Sequence, residues 1–142
     1  MINIEEILKR SRRVLLVDWP NIAVPRQLLQ AGFEVFGVSP KGYSRAKLLA
    51  TGNAGEDEVE FERLEQAPER VDMVHVFRPA EELNKIIESQ VEPKGATTLW
   101  LQPPIRSEAA RVLCTQREID FVEGVDIVES IQRLGFRRLA AP

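Results

Sequence analysis

Short apolar runs alternate with helix-spaced segments along nearly the whole of this 142-residue chain, and that alternation restricts the fold more than any other feature. Val14-Leu15-Leu16-Val17 is an unbroken apolar run between Arg13 and Asp18. A run of this kind reads as a strand covered on both faces. Val24, Leu28 and Leu29 then keep helical spacing, and Gly32 stands where a helix C′ glycine is favoured. Residues 34–38 (EVFGV) form a second strand, broken by Ser39-Pro40-Lys41-Gly42. Residues 43–50 read as a short helix, 51–58 as an exposed Gly- and acid-rich loop, and 59–61 as a short strand near an edge. Further strands are expected at 71–77 (VDMVHVF), 97–101 (TTLWL) and 119–122. Helices are expected at 79–90, from Pro104 near its first position to about Arg117, and at 125–134.

Strand-helix-strand order implies parallel pairing through right-handed crossovers. The expected fold is α/β: a three-layer, Rossmann-like, doubly wound and mainly parallel sheet of five or six strands. Residues 1–142 read as one such domain, without internal repeat or low-complexity segment. Residues 51–58 and 135–142 are the segments expected to be most mobile.

Composition narrows the function classes. A net charge of −3 provides no global basic field for nucleic acid or a membrane surface. The basic clusters Lys9-Arg10-Ser11-Arg12-Arg13 and Arg137-Arg138 have few aromatic neighbours to stack on bases. They read as solvated termini. One cysteine, Cys114, excludes an intramolecular disulfide and fits a reducing compartment. No apolar signal core follows the start and no run approaches a membrane span, so a cytoplasmic location is expected.

Open parallel sheets bind ligands at the carboxyl ends of their strands, where strand order reverses. Four loops are selected in this way. In the first, a dinucleotide site would place Gly-x-Gly-x-x-Gly; this chain has Asp18-Trp19-Pro20-Asn21. Asp18 brings a negative charge toward any diphosphate. Asn21 is able to cap the following helix, and Trp19 either walls or plugs the crevice. The second loop offers Ser39, Pro40, Lys41, Arg45 and Lys47, a basic set suited to a phosphorylated ribose rather than to NAD. A plain solvated loop is the alternative. The third carries Phe77 and Arg78, the fourth Gln102 and Arg106; Gln102 suits either a ligand amide or its own loop backbone.

Groups that resemble catalytic ones have simpler readings. His75 lies within an apolar strand and reads as a core histidine. Cys114 reads as helix packing, Trp100 as core, and Glu56-Asp57-Glu58 as a solvated acidic run. No His/Cys cluster indicates zinc, and no catalytic residue is assigned.

Three blocks carry a family resemblance: Leu28 to Lys41 (LLQAGFEVFGVSPK), Val71 to Pro79 (VDMVHVFRP), and Leu99-Trp100-Leu101-Gln102 followed by Ile105-Arg106-Ser107-Glu108-Ala109-Ala110. With these the chain resembles the CoA-binding protein family, stand-alone domains similar to the CoA-binding domain of the succinyl-CoA synthetase α subunit. The resemblance spans nearly the whole chain. It implies a CoA or acyl-CoA ligand with its diphosphate at the first strand-to-helix turn and its adenosine end near Val38-Ser39-Pro40-Lys41. Phe77, Arg78 and Gln102 would line the crevice. It also implies a binder rather than an enzyme. Two departures fall on that crevice. The first loop is short, with Asp18 and Trp19 where the family has Gly and Ser, and the turn after the last strand is Glu123-Gly124-Val125-Asp126 where the family tends to carry a Cys. The competing expectation is therefore a domain that has lost nucleotide binding and acts through a protein partner. An NADP-linked oxidoreductase lacks a nameable acid–base pair.

Overall fold

The computed structural model describes residues 3–49 and 57–138. In chain order the strands are β1 (Arg13–Val17), β2 (Glu34–Ser39), β3 (Gly42–Leu49), β4 (Glu58–Leu64), β5 (Met73–Val76), β6 (Thr98–Leu101) and β7 (Asp120–Val122). They form one sheet in the order β4-β3-β2-β1-β5-β6-β7. From β2 to β7 across the sheet, pairing is parallel. The helices are α1 (Ile4–Arg10), α2 (Ala23–Gln30), α3 (Leu83–Ile86), α4 (Glu108–Gln116) and α5 (Ile127–Leu134). A 3₁₀ turn, Ala80–Glu82, leads into α3, and a π-helical turn, Ile87–Val91, extends it.

Alternation along the central strands divides the core in two. Val14, Leu16, Met73 and Trp100 pack with α1, α2 and α5 on one face. Leu15, Val74, Val76 and Leu99 pack with α3, its π-helical extension and α4 on the other. Leu15 and Leu16, both wholly buried, point to opposite layers. Each contributes about 1.5–3 kcal/mol by leaving water. The doubly wound expectation is met, and Trp100 is core, its indole N–H donating to the Val125 carbonyl at 2.8 Å.

The sheet is larger than the five or six strands expected, and its seventh strand comes from a correction. Residues 43–50 were expected to be helical, yet Gly42–Leu49 is a strand and hairpin partner of β2, with Ser39 opposite Gly42. Gly42, at φ +124°, completes a tight reversal that a side chain would strain. Arg45 then meets Glu34, and Lys47 meets Glu62, across the strands. Tertiary pairing thus overrides the helical preference of Ala46-Lys47-Leu48-Leu49. The edge strand expected at 59–61 extends from Glu58 to Leu64 and runs antiparallel to β3. The sheet is thus mainly parallel, as expected, with antiparallel pairing at β2–β3 and β3–β4.

Two helix starts also differ. α4 begins at Glu108, not near Pro104, because Ser107 is its N-cap and accepts from Ala110 N–H at 3.0 Å. α1 was not expected. Asn3 caps it by accepting from Glu6 N–H, with Glu5 and Glu6 in its first turn and Lys9 and Arg10 in its last. Arg138 closes its far end by donating to the Leu8 and Lys9 carbonyls, and its guanidinium lies over the rings of Phe33 and Phe136. That residue of the basic C-terminal pair is therefore structural rather than a solvated charge.

The segments expected to be mobile fall largely outside the described residues, at 51–56 and 139–142; Glu58 already belongs to β4, and Gly135, at φ +58°, ends α5. No helix among the described residues is long and apolar enough to cross a membrane.

Candidate functional site

From β4 the chain crosses back to β5 on the far side of β1, so strand order reverses between β1 and β5. At the carboxyl ends of β1, β2 and β5 lies a cavity of about 760 Å³, within the range of small-molecule and cofactor sites. Val17, Val38 and Ile86 supply apolar wall.

Five of the ten residues nominated from the sequence line this cavity: Asp18, Trp19, Ser39, Pro40 and Arg78. Asp18 has φ +63°, a left-handed conformation that glycine adopts at no cost and Asp tolerates. The first loop therefore keeps a glycine-like backbone while carrying a carboxylate. Its Oδ1 accepts from Trp19 N–H at 2.9 Å, and its Oδ2 lies 3.3 Å from the Arg78 guanidinium. Arg78 is gripped from its other side by Glu82, with Nε and one terminal nitrogen on the two carboxylate oxygens at 3.2 and 2.7 Å. Glu82 first, and Asp18 second, raise the Arg78 pKa above its already high ordinary value.

Trp19 walls the cavity rather than filling it. Its indole stacks on Phe61 of β4, with centroids 4.9 Å apart and planes 15° from parallel. Gly37 makes this possible: a Cβ there would come within 3.2 Å of both the indole and Ser44 Oγ. Asn21 does not line the cavity. Its side chain accepts from Ala23 N–H at 3.0 Å and so fixes the start of α2.

Arg45 is not at the crevice. The hairpin after Ser39 sends β3 back down the sheet, so each residue past Gly42 lies farther from the carboxyl ends. Arg45 stands opposite Phe36 and pairs with Glu34, at the amino end of β2. Lys47 lies farther still, paired with Glu62. Lys41 remains near the site but is exposed in the hairpin turn, donating its backbone N–H to Ser39 Oγ at 3.2 Å. Phe77 is half-buried outside the lining, its N–H on the Val17 carbonyl.

Gln102 is also outside the cavity. It is buried, and its amide nitrogen donates to Asp126 Oδ2 at 2.9 Å while its oxygen faces His75 Nε2 at 3.0 Å. Since the carboxylate requires the amide N–H, the Gln102 oxygen requires a donor, and the neutral imidazole carries its hydrogen on Nε2. Burial depresses the His75 pKa to about 4, against the opposing pull of Gln102 and Asp126. The expectation of a core histidine holds. Cys114 is wholly buried as well, and burial, with Glu92 adding to it, pushes its thiol up to about 11.

The opposite wall was missed from the sequence: Glu82, Lys85, Ser89 and Gln90. Their signal was the spacing, since 82, 85 and 89 recur at helical intervals after Arg78. Tyr43 Oη donates to Gln90 Oε1 at 3.0 Å, joining this wall to β3. Among the described residues no cluster of His, Cys, Asp and Glu is arranged to hold a metal ion.

Several solved structures share this fold. A protein from Thermus thermophilus superposes with a TM-score of 0.69 at 22% identity, covering 92% of this chain and 96% of its own. A hypothetical protein from Pyrococcus horikoshii OT3 gives 0.69 at 21%, covering 92% and 89%. A conserved hypothetical protein from Pyrococcus furiosus gives 0.59 at 23%, covering 84% and 98%. Residues 17–130 match the family model described as CoA binding domain, a span that takes in every strand carboxyl end at the crevice. By that match, over most of its length, the chain belongs to the CoA-binding domain family.

Proposed function

We propose that this protein binds CoA or an acyl-CoA, without catalysing a reaction, in the cavity at the carboxyl ends of β1, β2 and β5. The observation that carries the reading is the coincidence of that open cavity with the strand-order reversal, in a chain of the CoA-binding domain family. Trp19, Ser39, Pro40 and Arg78 are the contacts assigned to the ligand, with Lys85 as a cation on the far wall. Lys41, exposed beside Ser39 and Pro40, is assigned to the 3′-phosphate at the adenosine end. A binder is favoured over an enzyme because the groups most apt for catalysis, His75 and Cys114, are both sealed in the core. The same reading is in keeping with a cytoplasmic location for the protein.

Melting in the presence of ligand tests this. CoA at a hundred times its dissociation constant should stabilise the fold by about 2.7 kcal/mol. Dephospho-CoA should do so less effectively, and Lys41→Ala should erase the difference. A melting curve unmoved by CoA at millimolar concentration would retire the proposal. One observation favours a second reading, a domain that acts through a protein partner: the carboxylate of Asp18 in the first loop. Against it, Trp19 leaves the cavity open.

A further inference from the structure

We infer that the Asp18 carboxylate is a built-in anion, holding the donors that a ligand phosphate would use and setting the affinity of the crevice by competing for them. The inference rests on the CoA-binding reading and concerns the same cavity. Two donors converge at the end of β1: the Trp19 backbone N–H, at the strand-to-helix turn, and the Arg78 guanidinium from the end of β5. Asp18 engages both at once, Oδ1 taking the amide at 2.9 Å and Oδ2 facing the guanidinium at 3.3 Å. These donors come from separate segments, so a phosphate with two oxygens would meet the same pair. The left-handed φ of +63° is what turns the carboxylate back onto its own loop amide.

Charge around the cavity supports the same conclusion. Asp18 and Glu82 carry two negative charges, Arg78 and Lys85 two positive ones, and Arg78 is held from both sides. A crevice so balanced offers an incoming diphosphate little net attraction until Asp18 swings away. Both side chains of the Asp18–Arg78 pair are substantially exposed, so the contact is weak enough to exchange. Glu82, bidentate on Arg78, keeps the guanidinium in place when Asp18 leaves.

The test is titration of CoA, and of pantetheine as a phosphate-free probe, into the wild-type protein and its Asp18→Asn and Asp18→Gly variants. Both replacements accept a left-handed backbone, and unchanged melting temperatures without ligand establish that they fold. CoA should bind about tenfold more tightly to Asp18→Asn, as expected for a charged donor set freed from competition. It should bind at least as tightly to Asp18→Gly, which frees the Trp19 amide as well. Pantetheine affinity should be the same for all three. In an Arg78→Gln background the gain from Asp18→Asn should shrink. Equal CoA affinity in all three proteins, or an equal gain for pantetheine, overturns the inference while leaving the CoA reading intact. Absence of CoA binding in every variant retires both.

Discussion

Asp18 and His75 both place an ionisable group where an unbranched or apolar residue would suffice, and their environments separate them. Asp18 is exposed and exchangeable. His75 is wholly buried, hydrogen-bonded through Nε2, and its Nδ1 has no partner among the described residues. Burial lowers its pKa from 6.5 to about 4, so below pH 6.5 the unfolded chain binds a proton that the folded protein refuses. The stability this represents is complete above pH 6.5 and is lost as pH falls toward 4, about 3 kcal/mol in all and about 2 kcal/mol of it between pH 7 and 5. Urea unfolding at a series of pH values should show that slope, and a His75→Gln variant should flatten it. A wild-type slope retained in the variant would assign the acid sensitivity elsewhere. The core role of His75 was legible from Val74 and Val76 beside it. Its link to Gln102 was not, because a hydrogen bond from β5 to the loop after β6 leaves no trace in local spacing. For the same reason Gln102 was expected at the ligand.

At the level of elements, polar caps decided more than apolar pattern did. Asp126 accepts from the Val128 and Glu129 N–H groups at the start of α5 and from Gln102, so one carboxylate holds a helix end and the buried amide together. Asp126→Ala should cost about 2–4 kcal/mol, the sum of a lost cap and a stranded buried donor. Asp126→Asn, which still caps, should cost less. Denaturant midpoints of the two variants measure the difference. β1, β2, β5, β6 and β7 were readable because parallel strands buried between helical layers are mostly apolar runs. β3 was not. Its one fully buried side chain, Ala46, lies among residues such as Arg45 and Lys47 whose strand conformation depends on partners in β2 and β4. Misreading β3 as a helix kept Arg45 near the crevice, and the hairpin moved it to the opposite end of the sheet. Gly37 is the converse case, a strand glycine whose purpose appears only when Trp19 lies over it. Gly37→Ala should displace the indole and destabilise the protein by about 1–3 kcal/mol, with a shift in tryptophan fluorescence.

Across the whole molecule, stability should grade outward from β1. That strand pairs on both edges and is covered on both faces, whereas β4 ends the sheet order among the described residues and carries Glu58, Glu60 and Glu62 together on one face. Amide exchange should be slowest in β1, β5 and β6 and fastest in β4, and equal protection across the sheet would contradict this ordering. The same strand order bears on how the chain is made. Of the seven described strands β1 leaves the ribosome before the others, but Val14 finds its partner on one side only when Met73 arrives. At about 5–20 residues per second, a nascent β1 waits on the order of several seconds with that edge bare. The most protected strand of the finished protein is thus the one most open to unwanted pairing during its synthesis.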